Sequence, residues 1–408
     1  MANQTSITPA KKIVVVGAGG NIGSHLVPHL ARMPNAGRVT LIDRDVYEAK
    51  NLSSQEISPG DVGKRKAVVQ ARKLRRINPA LQVEAVFDAV ERVPLGKLRA
   101  DVILACLDSR IARQHVSQFA WRLGVPLIDS GVEPTSLLAR VNVYLPGPDS
   151  PCLECAWDDR DYDALEQTYP CAGFVSNAAA TNAPSTLGAL AASLQAIECQ
   201  KLLSGQFESV AVSKQVLIDA AHHKHYVTAF RRNPNCRFDH EVWRIRRLGF
   251  LPSEITLGQL LARFNNRGDG VTSLSLDGKP FVQRLTCVTC GSTRSVWCLG
   301  CSLTENQSRC TSCGHPMIAT GFDLAEQLTA EIVPRNVLAR PLSSLGMRRC
   351  DVFSISDDGR FDHYEVAVDR EDARPRELKR VKGARSTSAA SDEAFRRPEP
   401  RKQEVAED

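Results

Sequence analysis

Residues 11–24 read KKIVVVGAGGNIGS, and this stretch sets the class of fold. The apolar run that ends at Val16 predicts a short buried strand, and the pattern after it predicts a helix through about Arg32. The turn between them contains four glycines, which are Gly17, Gly19, Gly20 and Gly23. Glycines let the backbone approach phosphates, and a helix N-terminus offers free N–H groups. The turn therefore predicts an adenine nucleotide site, while NAD and ATP remain equally open.

Strand and helix patterns alternate after this turn. The segments are strand Arg38–Asp43, helix Lys64–Ile77, strand Gln82–Phe87, strand Asp101–Cys106, a helix through Trp121, and strand Pro126–Asp129. This order predicts an α/β fold with a doubly wound, mainly parallel sheet, as in Rossmann-like domains. From Ala139 the pattern instead predicts antiparallel strands, with a helix over residues 185–203. Asp43 ends the second strand, where an acidic residue commonly binds ribose hydroxyls.

The 408 residues divide into three predicted regions. Residues 1–248 form the α/β domain, in keeping with the one large domain and smaller appendage expected at this length. Residues 251–365 form a C-terminal domain with three C-x-x-C pairs. Residues 370–408 are rich in Arg, Glu, Lys, Pro and Ser, and this composition predicts a disordered tail.

The composition narrows the class of protein. A net charge of +6 favours scattered surface charge over a nucleic-acid surface. No apolar run is long enough to span a membrane, and the N-terminus lacks the apolar segment of a signal peptide, so we expect a cytoplasmic protein. Most of the 13 cysteines lie in C-x-x-C pairs, which in a reducing compartment favour zinc over disulfides.

Three motifs follow the glycine turn. They are IDRDVYEAKNLSSQ at 42–55, DVGKRKA at 61–67 and ACLDSRIAR at 105–113. In order and spacing they resemble the ThiF/MoeB/HesA-like adenylyltransferases of the ubiquitin-activating enzyme superfamily, over about residues 11–205. The resemblance implies ATP-dependent adenylation of the C-terminal carboxylate of a ubiquitin-like or sulfur-carrier protein. It also implies a homodimer, and it leaves a conjugating enzyme open as a further partner.

The resemblance assigns six positions to the nucleotide, in addition to the glycines. These are Asp43, Asp45, Asn51, Gln55, Lys66 and Asp108. It implies that Asp43 binds the ribose, that Asn51 and Lys66 contact phosphates, and that Asp108 positions Mg²⁺. Attack of a carboxylate on the α-phosphate builds negative charge that Lys66 and Mg²⁺ can neutralise, so Lys66 and Asp108 are the predicted catalytic pair. Taken alone, Lys66 could also be an ordinary exposed helix lysine.

Three departures from the family pattern stand out. The glycine turn has one residue more than usual, or Ala18 replaces its first glycine; Ser109 replaces an asparagine; and Ser54 replaces a phosphate-binding arginine. The N-terminal segment MANQTSITPAKK also lacks the arginine that family dimers bring to the partner's ATP site. Local cations could compensate, and the candidates are Arg44, Lys50 and Lys64. Two other functions remain open: a non-catalytic scaffold subunit, and a nicotinamide-dependent oxidoreductase.

Two cysteine-rich groups predict zinc. The family resemblance implies a site formed by Cys152, Cys155, Cys236 and His240, unless His240 is a surface residue and this zinc is lost. The spacing of C-x-x-C-G repeats predicts a zinc ribbon formed by Cys287, Cys290, Cys310 and Cys313. Cys298 and Cys301 lie between these repeats, so the pairing of the six cysteines is ambiguous from the sequence.

Cys171 is the remaining candidate nucleophile. It lies in TYPCAGF, where family members place the cysteine that accepts the activated acyl group, so the resemblance implies a thioester at Cys171. The alternative is a small buried thiol, which is what the apolar surroundings of Cys106 and Cys199 predict for those two residues.

Overall fold

The large sheet has eight strands in the order β3-β2-β1-β4-β5-β6-β7-β8. The computed structural model describes residues 10–166, 183–265, 271–357 and 360–366, all within one compact unit that ends at Val368. The strands are β1 (Lys11–Val16), β2 (Ala36–Ile42), β3 (Gln82–Val86), β4 (Val102–Ala105), β5 (Leu127–Glu133), β6 (Leu138–Tyr144), β7 (Lys214–Asp219) and β8 (Lys224–Ala229). The predicted tail at 370–408 lies outside the described residues.

The first five strands in this order run parallel, and β6, β7 and β8 continue the sheet antiparallel. The predicted α/β class with a mainly parallel sheet is therefore confirmed. The strand order reverses between β1 and β4. In open α/β sheets, ligands bind at such a switch point, beside the carboxyl ends of the strands. Gly17 follows β1 and Cys106 follows β4 at this point.

Helices cover both faces of the parallel part. The helices of the described chain are α1 (Asn21–Leu30), α2 (Lys66–Ile77), α3 (Arg110–Arg122), α4 (Asp159–Glu166), α5 (Ser185–Leu203), α6 (Leu257–Phe264) and α7 (Arg335–Leu338). Alternate residues of β1 point to opposite faces. Ile13 and Val15 pack in the core that includes α1, α2 and α5, whereas Val14 and Val16 pack in the core with α3.

Nine further strands follow the large sheet. They are β9 (Ile245–Leu248), β10 (Ser273–Ser275), β11 (Phe281–Cys287), β12 (Thr293–Leu299), β13 (Met317–Ile318), β14 (Leu324–Ala325), β15 (Leu328–Thr329), β16 (Val352–Asp357) and β17 (Arg360–Val366). Five form a second sheet in the order β15-β10-β16-β17-β9, and β11 pairs with β12, β13 and β14 in a third. Strand β9 pairs parallel with β17, so residues 245–248 belong to the second sheet.

The second sheet packs against the α/β layer through buried polar contacts. The Gly96 amide donates to the Cys350 carbonyl oxygen at 2.9 Å, and an Arg99 guanidinium nitrogen lies 2.7 Å from Glu365 Oε2. Lys279 Nζ donates to the Val93 carbonyl oxygen at 2.9 Å. Across the described part of the chain, no helix combines the length and apolar character needed to cross a bilayer.

Candidate functional site

The glycine turn after β1 is tightly packed. Gly17 has a positive φ of 79°, and a Cβ atom there would clash with the Cys106 carbonyl oxygen. A Cβ at Gly23 would clash with the Gly17 carbonyl oxygen, and one at Gly19 with the Lys66 side chain. Gly20 differs, because its nearest neighbour would be 3.5 Å away. Three of the four glycines are therefore required by packing alone, whereas a Cβ at Gly20, the N-cap of α1, would make only ordinary contacts.

Asp43 holds the turn from the end of β2. Its carboxylate is buried and accepts hydrogen bonds from the Gly19 amide at 2.8 Å and the Asp45 amide at 3.0 Å. Burial raises the pKa of Asp43, while these amides and the nearby Lys66 act in the opposite direction. The carboxylate is therefore fixed within the turn, at the position where an acidic residue can face a ribose.

Lys66 lies at the start of α2, directly beside the turn. Its side chain is only 8% exposed, and Nζ lies 3.4 Å from Asp45 Oδ2 and 5.6 Å from the centre of the Tyr47 ring. The Tyr47 hydroxyl accepts a hydrogen bond from Gln70 at 2.7 Å, which fixes the ring. Lys66 is therefore not an ordinary exposed helix lysine. It is a largely buried cation, and the side chain of Asp45, with which it forms an ion pair, is half exposed.

Asn51 and Gln55 lie in the loop between β2 and α2. Asn51 is buried, and its Oδ1 accepts a hydrogen bond from the Glu48 amide at 2.9 Å, which caps a short 3₁₀ helix over Ala49–Ser53. The Gln55 Oε1 atom is buried and has no hydrogen-bond partner among the described residues. An unpaired buried amide oxygen is costly, so this side chain is available to a ligand.

Asp108 lies in the loop that joins β4 to α3, and it is exposed. The next residue, Ser109, is the N-cap of α3 and accepts from the Ala112 amide at 3.4 Å. Serine and asparagine are about equally good N-caps, so the replacement of the family asparagine keeps the start of the helix intact. The exposed carboxylate offers the hard oxygen ligand that Mg²⁺ prefers.

A buried ionic cluster, which the sequence did not predict, supports the Asp108 loop. Arg113 on α3 donates to the carbonyl oxygen of Leu107, to the Ser130 carbonyl oxygen at 2.8 Å, and to Asp129. Arg140 donates to the other Asp129 oxygen at 2.9 Å. Asp129 is 1% exposed at its side chain. The only sequence signal is a carboxylate in the apolar strand β5, which gives no indication of its partners.

Gln195 on α5 joins the carboxyl ends of β4 and β5. Its Nε2 donates to the carbonyl oxygens of Ala105 at 3.1 Å and Ile128 at 2.8 Å, and its Oε1 accepts from the Cys106 thiol at 3.2 Å. Burial raises the pKa of Cys106 to about 12, so this thiol is inert, as predicted. Gln195 lies in a largely apolar helix, so sequence inspection did not single it out.

The local cations considered for the missing arginine are all near acidic side chains. Arg44 Nε lies 3.8 Å from Asp45, Lys50 Nζ lies 2.8 Å from Glu48, and Lys64 Nζ lies 4.0 Å from Asp61. The side chains of all three cations are about half exposed. Of these three cations, Arg44 is the nearest in sequence to Asp43, which it directly follows.

The profile that describes the ThiF family matches residues 2–238, more than half of the chain. The chain belongs to the ThiF family. The SAMP-activating enzyme E1 of Haloferax volcanii is 28% identical over 230 residues, covering 56% of this chain and 79% of that protein. The sulfur carrier protein adenylyltransferase of Thermus thermophilus is 31% identical over 231 residues, covering 55% of this chain and 80% of that protein. The crystal structure of E. coli MccB with ATP is 26% identical with a TM-score of 0.45, covering 56% of this chain and 65% of MccB.

The first cysteine group of this ThiF-family chain comes together as predicted. Cys152 Sγ lies 3.9 Å from Cys155 Sγ and 3.7 Å from Cys236 Sγ, and Cys155 Sγ lies 3.2 Å from His240 Nε2. Hydrogen bonding with Cys152 lowers the pKa of Cys155. His240 has a positive φ of 60°, and its ring packs edge-on against Trp121. His240 is therefore partly buried and lies beside the three cysteines, where it could act as the fourth ligand.

The second group also comes together, and the ambiguous pairing is resolved. The four Sγ atoms of Cys287, Cys290, Cys310 and Cys313 all lie within 4.8 Å of one another. Cys298 and Cys301 are not in either of the ligand groups found among the described residues. Cys171 lies outside the described residues.

Proposed function

We propose that this ThiF-family chain is an ATP-dependent adenylyltransferase that activates the C-terminal carboxylate of a ubiquitin-like or sulfur-carrier protein. The observation that carries the proposal is the shielded Lys66, held against the glycine turn at the strand switch point. A family model and relatives named as a modifier-activating enzyme and a sulfur carrier adenylyltransferase support ATP over NAD. The nicotinamide-dependent alternative has no comparable support.

ATP would bind with its phosphates over the N-terminus of α1. Because Gly20 has no side chain, the phosphates could approach the amides there, while Asp43 would face the ribose. Lys66 would exchange its half-exposed partner Asp45 for phosphate oxygens, and the unpaired Gln55 oxygen and Asn51 would face the same ligand. A bound Mg²⁺ would neutralise phosphate charge, and Asp108 is the exposed carboxylate that could hold it.

The reaction would proceed by attack of a carboxylate oxygen of the carrier on the α-phosphorus of ATP. The new P–O bond forms as the bond to the bridging oxygen breaks, and pyrophosphate leaves with that electron pair. Lys66 would stabilise the charge that develops on the phosphoryl oxygens. We further propose that the Cys171 thiolate then attacks the acyl carbon, which would release AMP and form a thioester.

ATP–pyrophosphate exchange in the presence of a candidate carrier tests the first step. Lys66→Ala and Asp108→Ala should each lower exchange by at least about a hundredfold, the scale of losing one preorganised electrostatic contact. Lys73→Ala is the matched control on the same helix, because Lys73 binds Glu56 and does not contact the turn. Cys171→Ser should leave exchange intact and remove only a reducer-sensitive carrier adduct. If both Lys66→Ala and Asp108→Ala retain exchange within a few-fold of the wild type, the assignment of these two residues as the catalytic pair is wrong.

The missing arginine motivates a second candidate function, a scaffold that is active only beside another subunit. Ser54 takes the place of the family arginine, and the nearby cations are exposed. We propose a homodimer in which Arg44 and Lys50 compensate. The purified chain alone should then catalyse exchange, and Arg44→Ala or Lys50→Ala should weaken it. Activity that requires a second protein would establish the scaffold instead.

We also propose that Cys152, Cys155, Cys236 and His240 bind one zinc ion. Zinc–sulfur bonds of about 2.3 Å in a tetrahedron place sulfur atoms about 3.8 Å apart, close to the separations found here. Three thiolates and an imidazole fill the coordination shell, so this zinc would be structural. Its role would be to tie residues 152–155 to residues 236–240.

A further inference from the structure

The four cysteines of the second group converge from two loops. Cys287 Sγ lies 3.4 Å from Cys313 Sγ, and Cys290 Sγ lies 3.6 Å from Cys310 Sγ and 3.5 Å from Cys313 Sγ. Such separations are far longer than a disulfide bond, and all four cysteines are free. They approach the edge of a tetrahedron around a thiolate-bound metal, about 3.8 Å.

The two loops share the same backbone hydrogen bond and the same glycine conformation. In the first, the Gly291 amide donates to the Cys287 carbonyl oxygen at 3.1 Å; in the second, the Gly314 amide donates to the Cys310 carbonyl oxygen at 2.9 Å. Both glycines have a positive φ, 69° and 73°, which a side chain would oppose. Each loop therefore turns back on itself and directs its two thiols to one point. The convergence of two independent loops with this geometry indicates a preformed metal-binding site.

The core around these loops is very small. Its buried members are Val282, Leu285, Cys287, Cys310 and Met317, and the partly buried Val296, Leu303, Ala319 and Leu324 pack against them. Two of these five residues are cysteines of the group, and β13, which carries the second loop back to β11, has only two residues. Such a small core offsets only part of the entropy that is lost on ordering residues 300–316. Binding of a metal to four thiols would supply that free energy.

We propose that Cys287, Cys290, Cys310 and Cys313 bind a structural Zn²⁺ ion that orders residues 300–316. Four thiolates fill a tetrahedral shell and leave no open position for water or substrate, so the ion has no catalytic role. The proposal depends only on the geometry of this group and is independent of the adenylation reaction.

Elemental analysis of the full chain, purified under reducing conditions, tests the proposal. Cys290 and Cys313 are exposed, so changing them to serine should not disturb a core. The Cys290→Ser/Cys313→Ser variant should contain one zinc ion fewer per chain than the wild type. Cys301→Ser, in the neighbouring C-x-x-C pair, should match the wild type. Equal zinc content in the double variant, or iron in place of zinc, would overturn the proposal.

A second measurement, limited proteolysis of the wild-type protein, tests whether metal loss disorders this loop in particular. After treatment with a strong chelator, trypsin should cleave at Arg309, which lies directly before Cys310 and pairs with Pro316 in the ordered loop. Added Zn²⁺ should restore protection. ATP–pyrophosphate exchange, measured in parallel on the double variant, reports on the α/β layer separately. Protection at Arg309 that persists through chelation would contradict a structural zinc at this site.

Discussion

At the residue scale, Gly20 and Gly23 share one turn but face different surroundings. A Cβ at Gly23 would meet the backbone of Gly17 and Ala18, which cannot move aside without shifting the turn. Gly20 is the N-cap of α1, with φ −69° and extended ψ, and a Cβ there would make ordinary contacts of 3.5 and 3.7 Å with the carbonyl oxygens of Gly17 and Cys106. Internal packing therefore requires glycine at position 23 but not at position 20, where we infer that a bound phosphate requires it.

We expect these two glycines to respond differently to substitution. Gly23→Ala should lower the free energy of unfolding by about 1–3 kcal/mol, the usual cost of overpacking. Gly20→Ser should preserve stability, because serine is a favourable N-cap, but it should weaken ATP binding by filling the phosphate approach. Urea unfolding and ATP titration measure the two effects. Tight ATP binding by Gly20→Ser would place the phosphates elsewhere.

At the element scale, α3 is joined to the ends of β4 and β5 by Arg113. The same guanidinium contacts the loop that carries Asp108 and the buried Asp129, whereas Arg140 contacts only Asp129 among these groups. The two arginines therefore share a stabilising role, but only Arg113 positions the Asp108 loop.

Arg113→Ala and Arg140→Ala should separate stability from activity. Each removes one charged partner of Asp129, and each should cost about 1.5–3 kcal/mol of unfolding free energy. Arg113→Ala should also lower exchange at least about tenfold, because misplacement of a catalytic group by a fraction of an ångström is costly. ATP–pyrophosphate exchange should be measured under conditions in which both variants are still folded. Equal exchange rates in the two variants would show that Arg113 does not position the loop.

The elements themselves were predictable from the sequence, because each buried strand is an apolar run ended by polar or glycine residues. The predicted strand Arg38–Asp43 is observed as Ala36–Ile42, and the predicted helix Ser185–Leu203 is observed with those bounds. Strand Pro126–Asp129 extends to Glu133, because β6 supplies a hydrogen-bonding partner along its whole length. Local patterns contain this information, since strand and helix periodicity is a local property.

The environment of the site residues was less predictable, because it depends on contacts between distant segments. The sequence identified Lys66 by its motif, but its burial results from Gly19 and Tyr47, which approach from a different part of the chain. The Asp129 partners lie on α3 and β6. Cys298 and Cys301 have the spacing of metal ligands, and only the fold of β11 and β12 separates them from the other four cysteines.

At the scale of the whole molecule, Glu365 forms a buried ionic contact between β17 and the turn that precedes β4. Its side chain is 1% exposed, packs on Gly96 and pairs with Arg99, while Arg247 Nε lies 3.8 Å away. A buried carboxylate that loses its partner destabilises a protein far more than an exposed one does. The contact therefore couples the stability of the α/β layer to the last described strand.

Arg99→Ala should lower the free energy of unfolding by about 3 kcal/mol, the low end for a buried pair because Arg247 remains. Lys97→Ala is a matched control in the same turn: its 2.6 Å ion pair with Glu84 is exposed, so it should cost less than about 1 kcal/mol. Denaturant unfolding measures both. Similar losses for the two variants would show that Glu365 is not effectively buried in solution.

The pairing of Arg99 with Glu365 also sets an order of events during synthesis. The two residues are 266 positions apart, so at about 5–20 residues per second a ribosome adds Glu365 roughly 15–50 s after Arg99. During that interval Glu365 cannot cover Gly96, and β9, once it has been made, has no partner strand until β17 follows. The nascent α/β layer must therefore survive as a free-standing intermediate, and a premature stop codon within β17 would leave it permanently in that exposed form.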